Sequence, residues 1–129
     1  MSSVFSKIVA GEIPCYKVAE SEKHLAFLDA FPIVKGHVLV IPKKETDKLF
    51  DLPKEEYDEL MDFTYTVAQA VGKAIPCLRV GMTVQGLEVP HVHVHLIPLN
   101  TVEDINFGNK LILSSEEFTE IADKIMSYL

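Results

Sequence analysis

The amino-acid sequence predicts an α+β fold: a five-stranded, mainly antiparallel sheet with one long helix and a further helix at each end. Three observations carry that expectation. Five short apolar runs are joined, with one exception, by loops too short for a parallel crossover, which takes about a dozen residues or more. The exception, between the third and fourth runs, holds a long stretch in which apolar residues recur three and four apart. Both ends of the chain carry helix signals. With 129 residues, 48% of them hydrophobic, the chain can bury one core, so a single domain over 1–129 is expected.

Taken in order, Val4, Phe5, Ile8 and Val9 stand at one-turn spacing before Gly11, which predicts a short first helix. Segments 15–20 and 24–29 read as strands, and Ser21-Glu22-Lys23 between them suits a hairpin loop. Phe31-Pro32 interrupts the pattern, and 37–41 resumes it until Pro42, apolar on both faces and therefore central. Asp51 and Pro53 signal a helix start. From there Tyr57, Leu60, Met61, Thr64, Val67, Ala68, Val71, Ala74 and Ile75 form one helical stripe, ended by Pro76. Segment 78–84 is a fourth strand, Gly86 a turn and 91–98 the fifth strand. Segment 100–109 has no clear period and reads as a loop. Ser114-Ser115-Glu116-Glu117 is a capping-box pattern ahead of Phe118, Ile121, Ala122, Ile125 and Leu129.

Composition bounds the partners. A formal net charge of −7 opposes a long nucleic acid, whose binding rests on Lys and Arg neutralising phosphates. A small phosphorylated ligand needs only a few imidazoles and backbone N–H groups. No apolar run reaches the roughly 18 to 20 residues that span a bilayer, and the opening seven residues lack a basic region followed by an apolar one. No membrane partner and a cytoplasmic location are therefore expected. Cys15 and Cys77 are far apart and lack a C-x-x-C partner, which opposes a disulfide framework and a thiolate metal site.

The chemistry concentrates in His91-Val92-His93-Val94-His95-Leu96-Ile97-Pro98. At the strand period of two, the three imidazoles share one face and Val92, Val94 and Leu96 the other. Same-face residues are about 6.6 to 6.8 Å apart, a track that fits a phosphate and its two substituents. Spacing alone leaves three readings open. One is nucleophilic attack at phosphorus, in which a neutral imidazole attacks through one nitrogen while an acceptor holds the other. The second is a metal shared by alternating histidines. The third is a solvent-facing strand that carries histidine by chance.

This segment resembles the His-φ-His-φ-His-φ-φ signature (φ apolar) of the histidine triad family, whose members are nucleotidyl hydrolases and transferases. The similarity continues over roughly the first hundred residues. Residues 5–14, FSKIVAGEIP, resemble the family's F-x-K-I-x-x-G-E-I-P; residues 25–29 with Pro32 resemble L-A-F-x-D-x-x-P; and residues 37–44 resemble H-x-L-V-I-P-K-K. The resemblance implies that His93 is the nucleophile at the α-phosphate and that His95 lies by the phosphate and leaving group. It implies that His91 supports His93 through its backbone carbonyl and hydrogen-bonds with His37. Phe5, Ile8, Ile13, Phe27 and Leu39 would then form a purine pocket, Asp29 would accept from the ribose hydroxyls, and Gln85 would serve the phosphate loop.

The implied activity is hydrolysis of purine nucleotide conjugates, either phosphoramidates or dinucleoside polyphosphates. It runs through a nucleotidyl-histidine and releases the nucleoside monophosphate. The alternative is a nucleotide-binding or sensing protein with little or no turnover. A homodimer is expected, because pairing across a two-fold axis would cover an edge strand. No cofactor is expected. Where several bacterial relatives hold zinc, this chain has Ser3, Ser6 and Glu45, and of that set only His91 remains. The loop ahead of the triad also departs: Leu87 and Glu88 replace residues able to donate to a phosphate, and Leu99 stands where an arginine is often found.

Overall fold

Strand alternation sorts the side chains of this chain onto two sheet faces, and the two longer helices cover one of them. The computed structural model describes residues 2–129. Its elements are α1 (Val4–Val9), β1 (Lys17–Glu20), β2 (His24–Leu28), β3 (Val38–Pro42), α2 (Lys54–Ala74), β4 (Arg79–Thr83), β5 (Val94–Leu99) and α3 (Ser115–Met126). The sheet order is β1-β2-β3-β5-β4, and every pairing is antiparallel. The α+β class and the central third strand stand as expected.

On one face, Ala26, Leu28, Val38, Val40, Val94 and Leu96 meet Leu60, Val67 and Val71 of α2 and Phe118, Ala122 and Ile125 of α3 in the main core. Fully burying such side chains stabilises by roughly 1.5 to 3 kcal/mol each. Ser114 caps α3 as its sequence suggests: its side chain accepts from Glu117 N–H, and Glu117 answers to Ser114 N–H. The opposite face holds a smaller cluster of Phe5, Leu25, Phe27, Leu39 and Ile41. The short α1 covers part of it, and this is the face on which a cleft is left open.

Several strand ends shift by one or two residues, and three larger differences from the sequence reading stand out. Asp51 lies in a 3-10 turn, Leu49–Asp51, and α2 begins at Lys54 with Pro53 as an N-cap that makes no side-chain cap bond. Leu52, the residue before proline, is held extended at ψ 138°, so the helix cannot run back through it to Asp51. The regular part of β5 starts at Val94, leaving His91 to His93 outside the ladder. Its partner β3 ends at Pro42, and Pro90 likewise has no N–H to offer. The preceding stretch is instead pinned by Val92 N–H donating to Thr46 O at 2.7 Å and His91 N–H to Val89 O at 2.8 Å. Alternation survives there, since Val92 still joins the main core. Segment 100–109 contains a 3-10 turn, Val102–Ile105, closed by a reciprocal pair of bonds between Thr101 and Asp104.

The turn that delivers His37 to the sheet depends on Gly36. Its φ is +90°, and a Cβ there would lie 2.7 Å from Ile75 Cγ1 and 3.1 Å from Pro98 Cγ. Gly36→Ala is expected to destabilise by about 1 to 3 kcal/mol through both effects. Thermal unfolding reads this directly; an unchanged midpoint would contradict it.

Candidate active site

The open sheet face and α1 enclose a cleft of about 680 Å³. Its apolar wall contains Phe5 and Ile8 from α1, Ile13 just beyond it, Phe27 from β2 and Leu39 from β3; Asp29, Gln85, His93 and His95 supply polar groups. Every base, ribose and loop position singled out in the sequence therefore lines one cavity. His91 and His37 do not line it; both are almost fully buried behind the two histidines that do.

His93 has its tautomer fixed by a backbone group. Its Nδ1 lies 2.7 Å from the carbonyl oxygen of His91. A carbonyl can only accept, so Nδ1 carries the proton and Nε2 presents a free lone pair. Phe5 packs edge-on against this ring, with centroids 4.9 Å apart. His91 is itself clamped. Its Nε2 donates to Pro42 O at 2.8 Å, so its Nδ1 accepts from the Ser3 hydroxyl, also at 2.8 Å. Ser3 N–H and the Ser6 hydroxyl both donate to Glu45 Oε1, at 2.7 and 2.6 Å. These bonds, led by the one from Ser6, hold the Glu45 carboxyl down at about 2. The first turn of α1 is thus tied to the segment that aims His93.

A second chain of bonds fixes His95. Ile33 N–H donates to His37 Nδ1 at 3.2 Å, so the His37 proton sits on Nε2. That nitrogen lies 2.9 Å from His95 Nδ1, which accepts it and leaves the His95 proton on Nε2. The sequence resemblance paired His37 with His91. The structure corrects this: His37 follows the turn into β3 opposite β5, where Leu39 is registered on His95, so His95 is the imidazole within reach. Burial, with His95 next, pushes His37 down to about 3, and burial, with His93 next, pushes His95 down to about 4. Both imidazoles are neutral at pH 7. Asp29 uses Oδ1 to accept from Phe31 N–H at 2.9 Å, closing the turn after β2, while Oδ2 lies 3.5 Å from His37 Nε2. Burial raises the Asp29 carboxyl above its ordinary range.

Asp29, His37 and His95 bring one metal-capable atom each to within 4.8 Å of one another. Two of those atoms, however, are the partners of the 2.9 Å hydrogen bond that sets the tautomers. The zinc position of the bacterial relatives fits no zinc here, because both His91 nitrogens are engaged and Ser3, Ser6 and Glu45 bond to one another.

Phe107 and Lys110 are among the cleft residues that the sequence reading did not assign to the site. They follow the Val102–Ile105 turn, within and just beyond segment 100–109. Thr101 and Asp104, three apart, had the spacing of a capping pair and could have marked that turn. Of the departures noted in the sequence, Glu88 and Leu87 do line the cleft. Leu99 does not; it packs over Gly81 of β4, where a Cβ would approach Leu99 Cδ1 to 2.5 Å.

Residues 10–102, more than half of the chain, match the family model described as HIT domain. Adenosine 5′-monophosphoramidase hnt1 of Schizosaccharomyces pombe is 37% identical over 131 aligned residues, covering 98% of each protein. An uncharacterised HIT-like protein of Borreliella burgdorferi is 33% identical over 131 residues, covering 95% of this chain and 94% of the relative. Among solved structures, a HIT-like protein involved in cell-cycle regulation from Bartonella henselae, determined with an unknown ligand, superposes with a TM-score of 0.87 at 31% identity. That superposition covers 99% of this chain and 96% of the other.

Proposed function

The chain belongs to the HIT domain family, and on that premise we propose that it hydrolyses purine nucleotide conjugates at the α-phosphate through a nucleotidyl intermediate on His93. The observation that carries this reading is the bond from His93 Nδ1–H to the His91 carbonyl, which leaves Nε2 as the one free lone pair on that ring, facing the cleft. Attack forms the Nε2–P bond and breaks the bond from phosphorus to the leaving nitrogen or oxygen. That atom keeps the electron pair, accepts a hydrogen bond from His95 Nε2–H and takes a proton from solvent. Water then attacks phosphorus and breaks the P–Nε2 bond. It releases the nucleoside monophosphate and one proton, so that His93 returns to its starting tautomer.

The relative named as a phosphoramidase supports P–N bonds as the bonds broken; dinucleoside polyphosphates are the second substrate class. The test is intact-mass analysis after brief mixing with an adenosine phosphoramidate. An acid-labile nucleotidyl adduct is expected, and peptide mapping should place it on His93. Turnover with the adduct on another residue would overturn the assignment.

A second copy of the chain is the proposed partner. Strand β4 is an edge strand, and Met82 on it is exposed alongside Leu78 and Tyr65. Pairing there would cover the free edge. Light scattering should give twice the 14.4 kDa chain mass, and a monomer at micromolar concentration would exclude the dimer. The free thiols Cys15 and Cys77 are consistent with a reducing compartment such as the cytoplasm. Among the described residues, no helix is long and apolar enough to cross a membrane.

A further inference from the structure

The cleft is short of positive charge for the ligand assigned to it. Its lining includes two carboxylates, Asp29 and Glu88, and among the described residues only one Lys or Arg side chain, Lys110. A phosphate entering beside two carboxylates is repelled unless a cation compensates. The buried pair His37 and His95 does not fill that need, because both rings are held neutral.

Lys110 is placed by a built strap. Gly108 N–H donates to Asn106 Oδ1 at 2.9 Å and Asn109 N–H to Asn106 O at 3.1 Å, which turns the chain; Leu111 N–H then donates to Pro32 O at 2.7 Å and fastens it beside the β2 turn. Between these anchors the Phe107 ring stands edge-on to His95, with centroids 4.9 Å apart, and to His37 at 6.1 Å. Lys110 Nζ lies 5.3 Å from the centre of that same ring. Among the described residues no carboxylate lies within 4.0 Å of Lys110 Nζ. The ammonium is therefore seated over the aromatic lid of the histidine pair and is free to meet an incoming anion.

We propose that Lys110 is a phosphate-binding residue of this cleft, its ammonium contacting the nonbridging oxygens of a nucleoside 5′-phosphate beside His93 and His95. This rests on the nucleotide reading above and deepens it. The lysine takes over the contact that Leu87 and Glu88 cannot make. An ammonium is suited to that task as a mobile point charge on a flexible stem, able to follow the phosphate as its geometry changes.

The experiment is calorimetric titration of the full chain and of the Lys110→Gln and Lys110→Arg variants with AMP and with adenosine, which share base and ribose and differ by the phosphate. For Lys110→Gln, AMP is expected to bind about tenfold more weakly or worse, the range of a charge-assisted hydrogen bond. Adenosine should bind unchanged, and Lys110→Arg should keep most of the AMP affinity. Raising the salt should also erode AMP binding less in Lys110→Gln than in the unaltered chain. Equal AMP affinity in the unaltered chain and Lys110→Gln would overturn the proposal, as would equal weakening of AMP and adenosine, which would mean only a loosened strap. If AMP binds with a Lys110-dependent margin but no conjugate is turned over, this proposal stands and the hydrolase reading falls. If neither AMP nor adenosine binds the unaltered chain, both fall.

Discussion

Replacing His93 with alanine is expected to lower turnover of an adenosine phosphoramidate by at least about three orders of magnitude, the scale on which loss of a nucleophile is felt when its helpers remain. AMP affinity should change by no more than a few-fold. The asymmetry follows from geometry: Phe5 leans on Phe27 as well as on the His93 ring, so the apolar wall keeps a support without the imidazole, whereas the reacting lone pair has no substitute. His95 cannot replace it, because its Nδ1 is occupied by His37 and its Nε2 carries the proton. The measurement is steady-state kinetics paired with AMP titration. Turnover within tenfold of the unaltered chain would remove His93 as nucleophile. Lost turnover together with lost AMP binding would point to a collapsed cleft instead.

Acidification is expected to cost stability on the order of 5 kcal/mol between pH 7 and pH 3, a figure set by the buried imidazoles. The folded-state values of His37, about 3, and His95, about 4, lie below the unfolded value of about 6.5. Between those limits the unfolded chain binds more protons than the folded one, so stability is full above about pH 6.5 and falls as pH drops through 4 and 3. Burial also lowers His91 and His24, and Glu45, held at about 2, adds in the same direction over a lower window. Asp29, raised by burial, works the other way. Urea midpoints at pH 7, 5.5 and 4.5 should decline steadily. In His37→Asn the decline should be shallower, because one depressed imidazole is gone. A midpoint independent of pH down to 4.5 would show that the buried pair does not govern stability.

Much of this was legible in the sequence because two periods carry it. Alternation placed Val92, Val94 and Leu96 in the main core and the histidines opposite, and the three-and-four spacing located α2. The nine cleft positions read from local patterns came together because they lie on adjoining strands, on the helix above them or in the segments that flank these. What escaped was set by long-range partners. The His37 to His95 bond depends on the register between β3 and β5, 58 residues apart in sequence, and spacing along one strand carries no information about the neighbouring one. The Glu45 clamp joins residues about forty positions apart. Lys110 directly follows a segment with no period, and the fastening of Leu111 N–H to Pro32 O holds it beside the cleft.

The tie between α1 and His91 joins two tasks in a single lever. One side of this six-residue helix offers Phe5 and Ile8 to the cleft, where the proposed base would sit, and its first turn, through Ser3, grips the histidine whose carbonyl orients His93. A base seated on Phe5 therefore loads the same short lever that sets the nucleophile. A poorly fitting base is then penalised twice, once in how long it stays and again in how squarely His93 meets phosphorus. On the hydrolysis proposed above, selectivity for the base would then be written into the rate of the chemical step as well as into affinity.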